Sequence, residues 1–270
     1  MQKRYANGLN FLASYTWAHA MDDSGDPGGL GAGIGDRNTN LVPIIHEYTN
    51  SAWDVRNRFT FNGYYELPFG KGRAHMNHSN WTNLVAGGWA TNLTFFAQSG
   101  MPFTVSPNIS TASGGSARAN LVSDPFVPGG TPNPTNPHVT CPAKIHTLAN
   151  WYNPCAFSNP LPGSLIPRTG PGSTVTGYSQ VIAYLGGKSN QIYGPGYERI
   201  DMSIFKDFTT WRSQYLEFRT DIFNVLNHPS WGNPSISNLN SNAGEITGPK
   251  GFQNLTPDAR FFQISLKYVF

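Results

Sequence analysis

Apolar and polar residues alternate with a period of two in six stretches of about 10 to 13 residues. In the first, Leu9, Phe11, Ala13, Tyr15 and Trp17 share one face, while Asn10, Ser14 and Thr16 dominate the other. Successive side chains of a strand point oppositely, so Asp54 to Leu67 sets Val55, Phe59, Phe61, Tyr65 and Leu67 against Asp54, Arg56, Arg58, Thr60, Asn62 and Glu66. The third stretch opposes Trp89, Leu93, Phe95 and Ala97 to Asn92, Thr94 and Gln98. Glu198 to Asp207 carries Ile200, Met202 and Ile204 on its apolar side, and Tyr215 to Asn224 opposes Leu216, Phe218 and Ile222 to Glu217, Arg219 and Asp221. The last closes the chain, with Phe262, Ile264, Leu266, Tyr268 and Phe270 on one face and Gln263, Ser265, Lys267 and Val269 on the other.

The connections select among architectures. Phe69 to about Asn83 and Phe208 to Arg212 are short, whereas Met21 to Trp53, Gly100 to Pro195 and Asn227 to Asp258 are long. An up-and-down antiparallel sheet sends alternate connections to opposite sides, which predicts tight turns on one side and large loops on the other. That asymmetry belongs to outer-membrane barrels and puts both chain ends on the periplasmic side. Of the 21 prolines, 14 lie between Gly100 and Pro195, and Pro27 to Gly35 is Gly-rich, so these connections read as loops. Val175, Val181, Ile182, Tyr184 and Leu185 cluster in the longest of them, without an assignable element.

Composition agrees. Charged residues make up 12% of the chain, about half the level usual in soluble domains, and Gly 29 with Pro 21 argues against a helical bundle. No run approaches the roughly 18 apolar residues of a membrane helix. A net charge of +3 spread over dispersed basic residues makes nucleic acid an unexpected partner.

A soluble sandwich or lipocalin-like barrel would alternate equally well. The partition of charge turns the reading toward a membrane. Asp54, Arg56, Arg58, Glu66, Arg199, Asp201, Asp207, Glu217, Arg219, Asp221 and Lys267 share the polar face, against only Glu198 and Lys206 on the apolar one. The apolar face is also rich in Tyr15, Trp17, Tyr65, Trp89 and Tyr268, which suit a bilayer interface.

The segment from Phe218 to Pro234, FRTDIFNVLNHPSWGNP, closely resembles a barrel segment of TonB-dependent receptors, especially the Oar-like group common in Acidobacteria. So do Asp54 to Phe59 leading to Tyr65 to Gly72, Gly87-Gly88-Trp89 with Gln98 to Val105, and Asp201 to Lys206. The resemblance implies an all-β transmembrane barrel segment with long extracellular loops, in the outer membrane of a Gram-negative bacterium, that binds and imports a nutrient. It implies a plug domain and further strands, TonB acting through the plug, and outer-membrane lipid as surroundings. The final Leu266, Tyr268 and Phe270 resemble the C-terminal signal that the barrel-assembly machinery reads. Family members close 22 strands around the plug; here no plug, TonB box or export signal can be located, and Gln2 to Leu9 looks like an internal periplasmic turn. The expectation is therefore that residues 1–270 are a C-terminal receptor fragment that does not transport alone. A self-assembling pore or adhesin and a soluble extracellular carbohydrate-binding β-domain stand as alternatives.

In an oxidising compartment Cys141 and Cys155 are most simply a disulfide; a metal site would need further ligands such as His138 and His146. Asp22, Asp23 and Asp26 lack EF-hand spacing, and His46-Glu47 lacks the second histidine of a metalloprotease. No hydrolase or phosphate-loop motif appears, so no enzyme activity and no cofactor are expected. Arg56, Arg58, Glu66, Glu217, Arg219 and Asp221 are candidate lumen charges that hold a plug, guide solute or simply pair with one another. Trp151, Tyr152 and Trp231 are candidates either for ligand contact or for packing the loops together.

Overall fold

A computed structural model describes residues 1–23, 48–76, 81–107, 118–160, 166–169, 175–179, 187–210, 214–237, 241–250 and 259–270. Its centre is one seven-stranded antiparallel sheet in strict chain order: β1 (Gln2–Ala6), β2 (Leu9–Trp17), β3 (Asn57–Glu66), β4 (Trp89–Gln98), β5 (Tyr197–Thr209), β6 (Tyr215–Phe223) and β7 (Phe261–Val269). The sheet is not closed, and β1 and β7 are its two outer strands. All-β class and meander order are as the alternation predicts.

Three details differ. Residues 2–8 are not a turn alone: Asn7 and Gly8, at φ 53° and 76°, form the tight two-residue turn of a hairpin whose first arm is β1. That arm carries Gln2, Lys3 and Arg4, too polar to alternate, in keeping with a charged edge strand. Met1 therefore lies beside Ala13, part-way up β2, with its amine donating to the Ala13 carbonyl at 2.7 Å, and not at the turn side. Second, β3 begins at Asn57, leaving Asp54, Val55 and Arg56 in the preceding loop. Third, the connection between β3 and β4 contains a helical turn, α1 (Trp81–Ala86).

Register confirms the two faces. Tyr15, Phe59 and Ala97 are cross-strand partners, as are Phe61 with Phe95, Met202 with Ile222, Phe218 with Leu266, and Leu216 with Tyr268. On the other face Asn62 opposes Thr94, Ser203 opposes Asp221, and Glu217 opposes Lys267. Gly63 belongs to the apolar face, where the Phe61 ring lies so close that an added Cβ would come within 2.8 Å of it, and that ring stacks on Phe11 at 5.8 Å. The aromatic ring thus covers the backbone that glycine leaves bare.

The apolar face stays exposed: Trp17 is 66% accessible, Ile264 69% and Leu266 65%. A soluble domain would bury such a face, because a continuous bare apolar surface of this kind marks a partner or a membrane. Burial is found instead in the loops. Phe103, Val105, Ala119, Tyr152, Ala156, Phe157 and Ile192 form a core, with Phe126 and Trp151 packed against it. The residues after Gly100 are thus not a structureless connection. They begin with Pro102–Phe103 pairing with Ile192–Tyr193, include Asn120–Leu121 pairing with Phe157–Ser158, and carry a further hairpin of Ile166–Thr169 with Val175–Ser179. Val181, Ile182, Tyr184 and Leu185 lie outside the described residues.

Candidate functional site: the polar face and its cap

The polar face of the sheet is organised by the period of two. Arg199 and Asp201, two apart on β5, point the same way, and the guanidinium Nε donates to both carboxylate oxygens at 2.8 and 3.0 Å. Arg219 and Asp221 repeat the arrangement on β6 at 2.9 and 3.0 Å. Ser203, opposite Asp221, donates its hydroxyl to that carboxylate and accepts from Arg219 Nη2 at 3.2 Å. Toward the turn side, Glu66 accepts from Tyr5 at 2.7 Å, from Tyr64 at 3.1 Å and from Arg73, whose guanidinium this carboxylate holds above its ordinary pKa. Arg58 sits over the Phe96 ring at 4.9 Å, where a guanidinium is attracted by the π-face. Glu217 opposes both Asp207 and Lys267. Asn10, Asn62, Asn92, Ser203 and Arg219 are among the residues lining a groove of about 430 Å³ on this face. Hydroxyls, amides and matched ion pairs give this face a nearly balanced charge.

Of the six charges expected there, Arg56 is placed elsewhere. It leads into β3 from the loop side and belongs to a hub around Asp54, whose side chain is 0% exposed. The Asp54 carboxylate accepts from the Ala20 amide at 2.7 Å and the Tyr193 hydroxyl at 2.6 Å, and pairs with Arg56 Nε at 2.8 Å. Arg56 Nε also donates to Tyr193 Oη at 2.9 Å, a bond that raises the guanidinium pKa. Burial, reinforced by Asp54, pushes the Tyr193 hydroxyl above its ordinary range. Beside the hub, Asn50 and Asn190 exchange amide-to-carbonyl bonds at 3.0 and 2.9 Å, and Thr49 Oγ1 donates to the Ser189 carbonyl at 2.8 Å. Two loops, that between β2 and β3 and that between β4 and β5, are thereby tied together at the mouth of the sheet.

Above the hub stands the cap. Cys141 and Cys155 are joined by a disulfide, with Cα atoms 5.5 Å apart. Asn153, nearly buried, caps the short helical turn Pro154–Ala156 by accepting from Cys155 N, and its amide nitrogen donates to the carbonyls of Val127 and Gly129, both at 2.8 Å. One side chain thus joins two segments about 25 residues apart in sequence. Tyr152 is fully buried, which pushes its hydroxyl pKa up, and donates to the Ser235 carbonyl at 2.9 Å. Trp151 Nε1 donates to the Tyr193 carbonyl at 2.8 Å. Both aromatics therefore pack loops together. Trp231 is half-buried and lines a groove of about 330 Å³ with Tyr15, Phe59, Glu198 and His228, whose Nδ1 lies 3.2 Å from Glu198. His146 stacks on Phe126 at 4.9 Å and meets Trp151 edge-on, so its ring is engaged in packing. Asp26, His46 and Glu47 lie outside the described residues. At the chain's end, Leu266 and Tyr268 lie on the bare apolar face, Phe270 is 94% exposed, and Tyr268 donates to Gln214 at 2.6 Å.

Sequence reasoning missed the hub members Thr49, Asn50, Asn190 and Tyr193. Their only signal is polar residues recurring at loop ends, which does not distinguish a buried network from a solvated loop.

A family model described as outer membrane beta barrel domain matches residues 1–263. No curated protein and no solved structure matches the chain.

Proposed function

Because the chain belongs to the outer membrane beta barrel domain family and is accordingly an outer-membrane protein, we propose that it forms part of a TonB-dependent, Oar-like receptor barrel. In this reading the cap captures a nutrient, the polar face lines the route inward, and the parent receptor supplies the plug and the remaining strands. The chain itself performs no chemistry.

The observation that carries the reading is an open sheet beneath a folded cap. In hydrocarbon each unpaired backbone group costs several kcal/mol, so β1 and β7 require strand partners before the sheet is viable there. A cap with its own core, tied by a hub to the mouth of the sheet, provides the rigid loop surface that ligand capture needs. The ion pairs on the polar face suit a water-filled interior, and the exposed Leu266, Tyr268 and Phe270 suit recognition by the barrel-assembly machinery. The sequence resemblance alone supports the TonB-dependent type.

The test is the intact mass of the native polypeptide in the outer-membrane fraction, detected through the Cys141–Cys155 loop. A species several times 29.6 kDa that cross-links to TonB is expected. A species of 29.6 kDa without TonB contact would overturn the receptor reading. It would favour a second one, a pore assembled from copies joined edge to edge, which the two outer strands of the sheet make geometrically reasonable.

A further inference from the structure

Lys206 is the one cation of strands β2 to β7 that lies on the apolar face, which Lys3 of the outer strand β1 shares opposite Phe11, and its place explains a neighbouring element. It sits directly opposite Trp89 in the register, at the turn side. Its ammonium is buried, 4.8 Å from the Phe208 ring centre and 5.8 Å from that of Trp89, and it donates to the Leu84 carbonyl. Trp89 Nε1 donates to the next carbonyl, Val85, at 2.8 Å. Both acceptors belong to the end of α1, where backbone carbonyls lack partners within the helix and favour a positive charge. Two side chains of the apolar face thus fix α1 against the outside of the sheet.

The free side of α1 is apolar. Trp81, Leu84 and Val85, spaced i, i+3 and i+4, share one helical face and are 76%, 63% and 61% exposed. The helix carries no charged residue. Six residues cannot sustain a helix in water by themselves, so both the capping donors and a suitable medium are needed.

We propose that α1 is a lipid-contacting element seated on the outer wall of the barrel, with Trp81, Leu84 and Val85 at the boundary between headgroups and acyl chains of the periplasmic leaflet. The assignment follows from continuity. The same bare face runs from Trp89 through Phe218 to Leu266, and indole with branched aliphatic side chains suits that boundary. The Lys206 charge, which would face lipid otherwise, is consumed in holding the helix.

Leu84→Cys is labelled with a polarity-sensitive fluorophore in the native polypeptide, purified from the outer membrane with whatever strands accompany it and reconstituted in phosphatidylethanolamine–phosphatidylglycerol vesicles with the Cys141–Cys155 disulfide intact. Leu266→Cys, on the sheet itself, and Lys71→Cys, in the same turn, are labelled in parallel. Blue-shifted emission at position 84, quenched by brominated acyl chains and little by aqueous iodide, as at 266, is the expected result. Iodide quenching at 84 like that at 71 would overturn the proposal, as would shielding from both quenchers, which signals a covering protein. If position 266 also escapes the lipid quencher, the orientation of the whole sheet is wrong and the proposal falls with it. Val85→Cys is a second site should Leu84→Cys fail to show heat-modifiable folding.

Discussion

Replacing Asp54 with alanine should unfasten the cap from the mouth of the sheet while leaving the strands intact. The buried carboxylate accepts charge-assisted hydrogen bonds from Ala20 N and Tyr193 Oη, and such bonds contribute about 1.5 to 3 kcal/mol each. Arg56 adds only about 0 to 1 kcal/mol, because its side chain is 29% exposed and water screens the pair. The Ala20 amide lies in an exposed stretch and recovers part of its loss from water. The net cost of Asp54→Ala is then about 3 kcal/mol, equivalent to a ~100-fold shift in local opening. Asp54→Asn keeps one acceptor and loses the charge, for about half that free energy. Native-state hydrogen exchange reads the loosening of the hub at the Ala18 and Ser51 amides, which bond to the Arg56 and Ala20 carbonyls between the two arms of the β2–β3 loop that surround Asp54. Trp151 and Ala156, held within the cap, serve as internal references. Exchange at Ala18 and Ser51 that stays within about threefold of the parent protein would refute the assigned role of Asp54.

Gly100→Ala should disrupt the cap stem, since its Cβ would stand 1.8 Å from the Gly194 carbonyl oxygen; rapid proteolysis between residues 100 and 195 is the readout. Reducing Cys141–Cys155 should destabilise the cap by about 3 kcal/mol in the chain-entropy estimate and leave heat-modifiable migration unchanged, as protease titration with and without reductant will show. Tyr193 has a hydroxyl pKa raised in the folded state, so its contribution is fully present below the ordinary value of 10.0 and is lost as pH rises through the raised one. Cap protection measured from neutral pH upward should fall in that window, and Tyr193→Phe should remove the fall.

The six strands and both their faces are legible in the sequence because charged residues gather on one parity of the period of two, and most register pairs respect that division. β1 is not legible, because Gln2, Lys3 and Arg4 present no alternation and an edge strand gains its place from pairing alone. β3 starts later than the pattern predicts for a related reason: Asp54 and Arg56 match the polar parity of the strand, yet their partners are the loop residues Ala20 and Tyr193. The cap escapes detection since its core residues, such as Val105, Tyr152 and Ile192, are separated by prolines and glycines and have no period. Trp151 and Tyr152 stand out in the sequence, but only their buried surroundings decide between ligand contact and packing. Lys206 and Glu198 appear as exceptions on the apolar face, and each has a local partner, α1 for one and His228 for the other.

Whether the two faces of the sheet meet lipid and water is tested most directly by single-cysteine substitution from Phe262 to Lys267 in native outer membranes, read with a water-soluble thiol reagent. Strict alternation is predicted, with Gln263, Ser265 and Lys267 positions reactive and Phe262, Ile264 and Leu266 positions protected until detergent is added. Uniform reactivity along the strand, or protection on the polar face, would contradict a membrane-spanning sheet in this orientation.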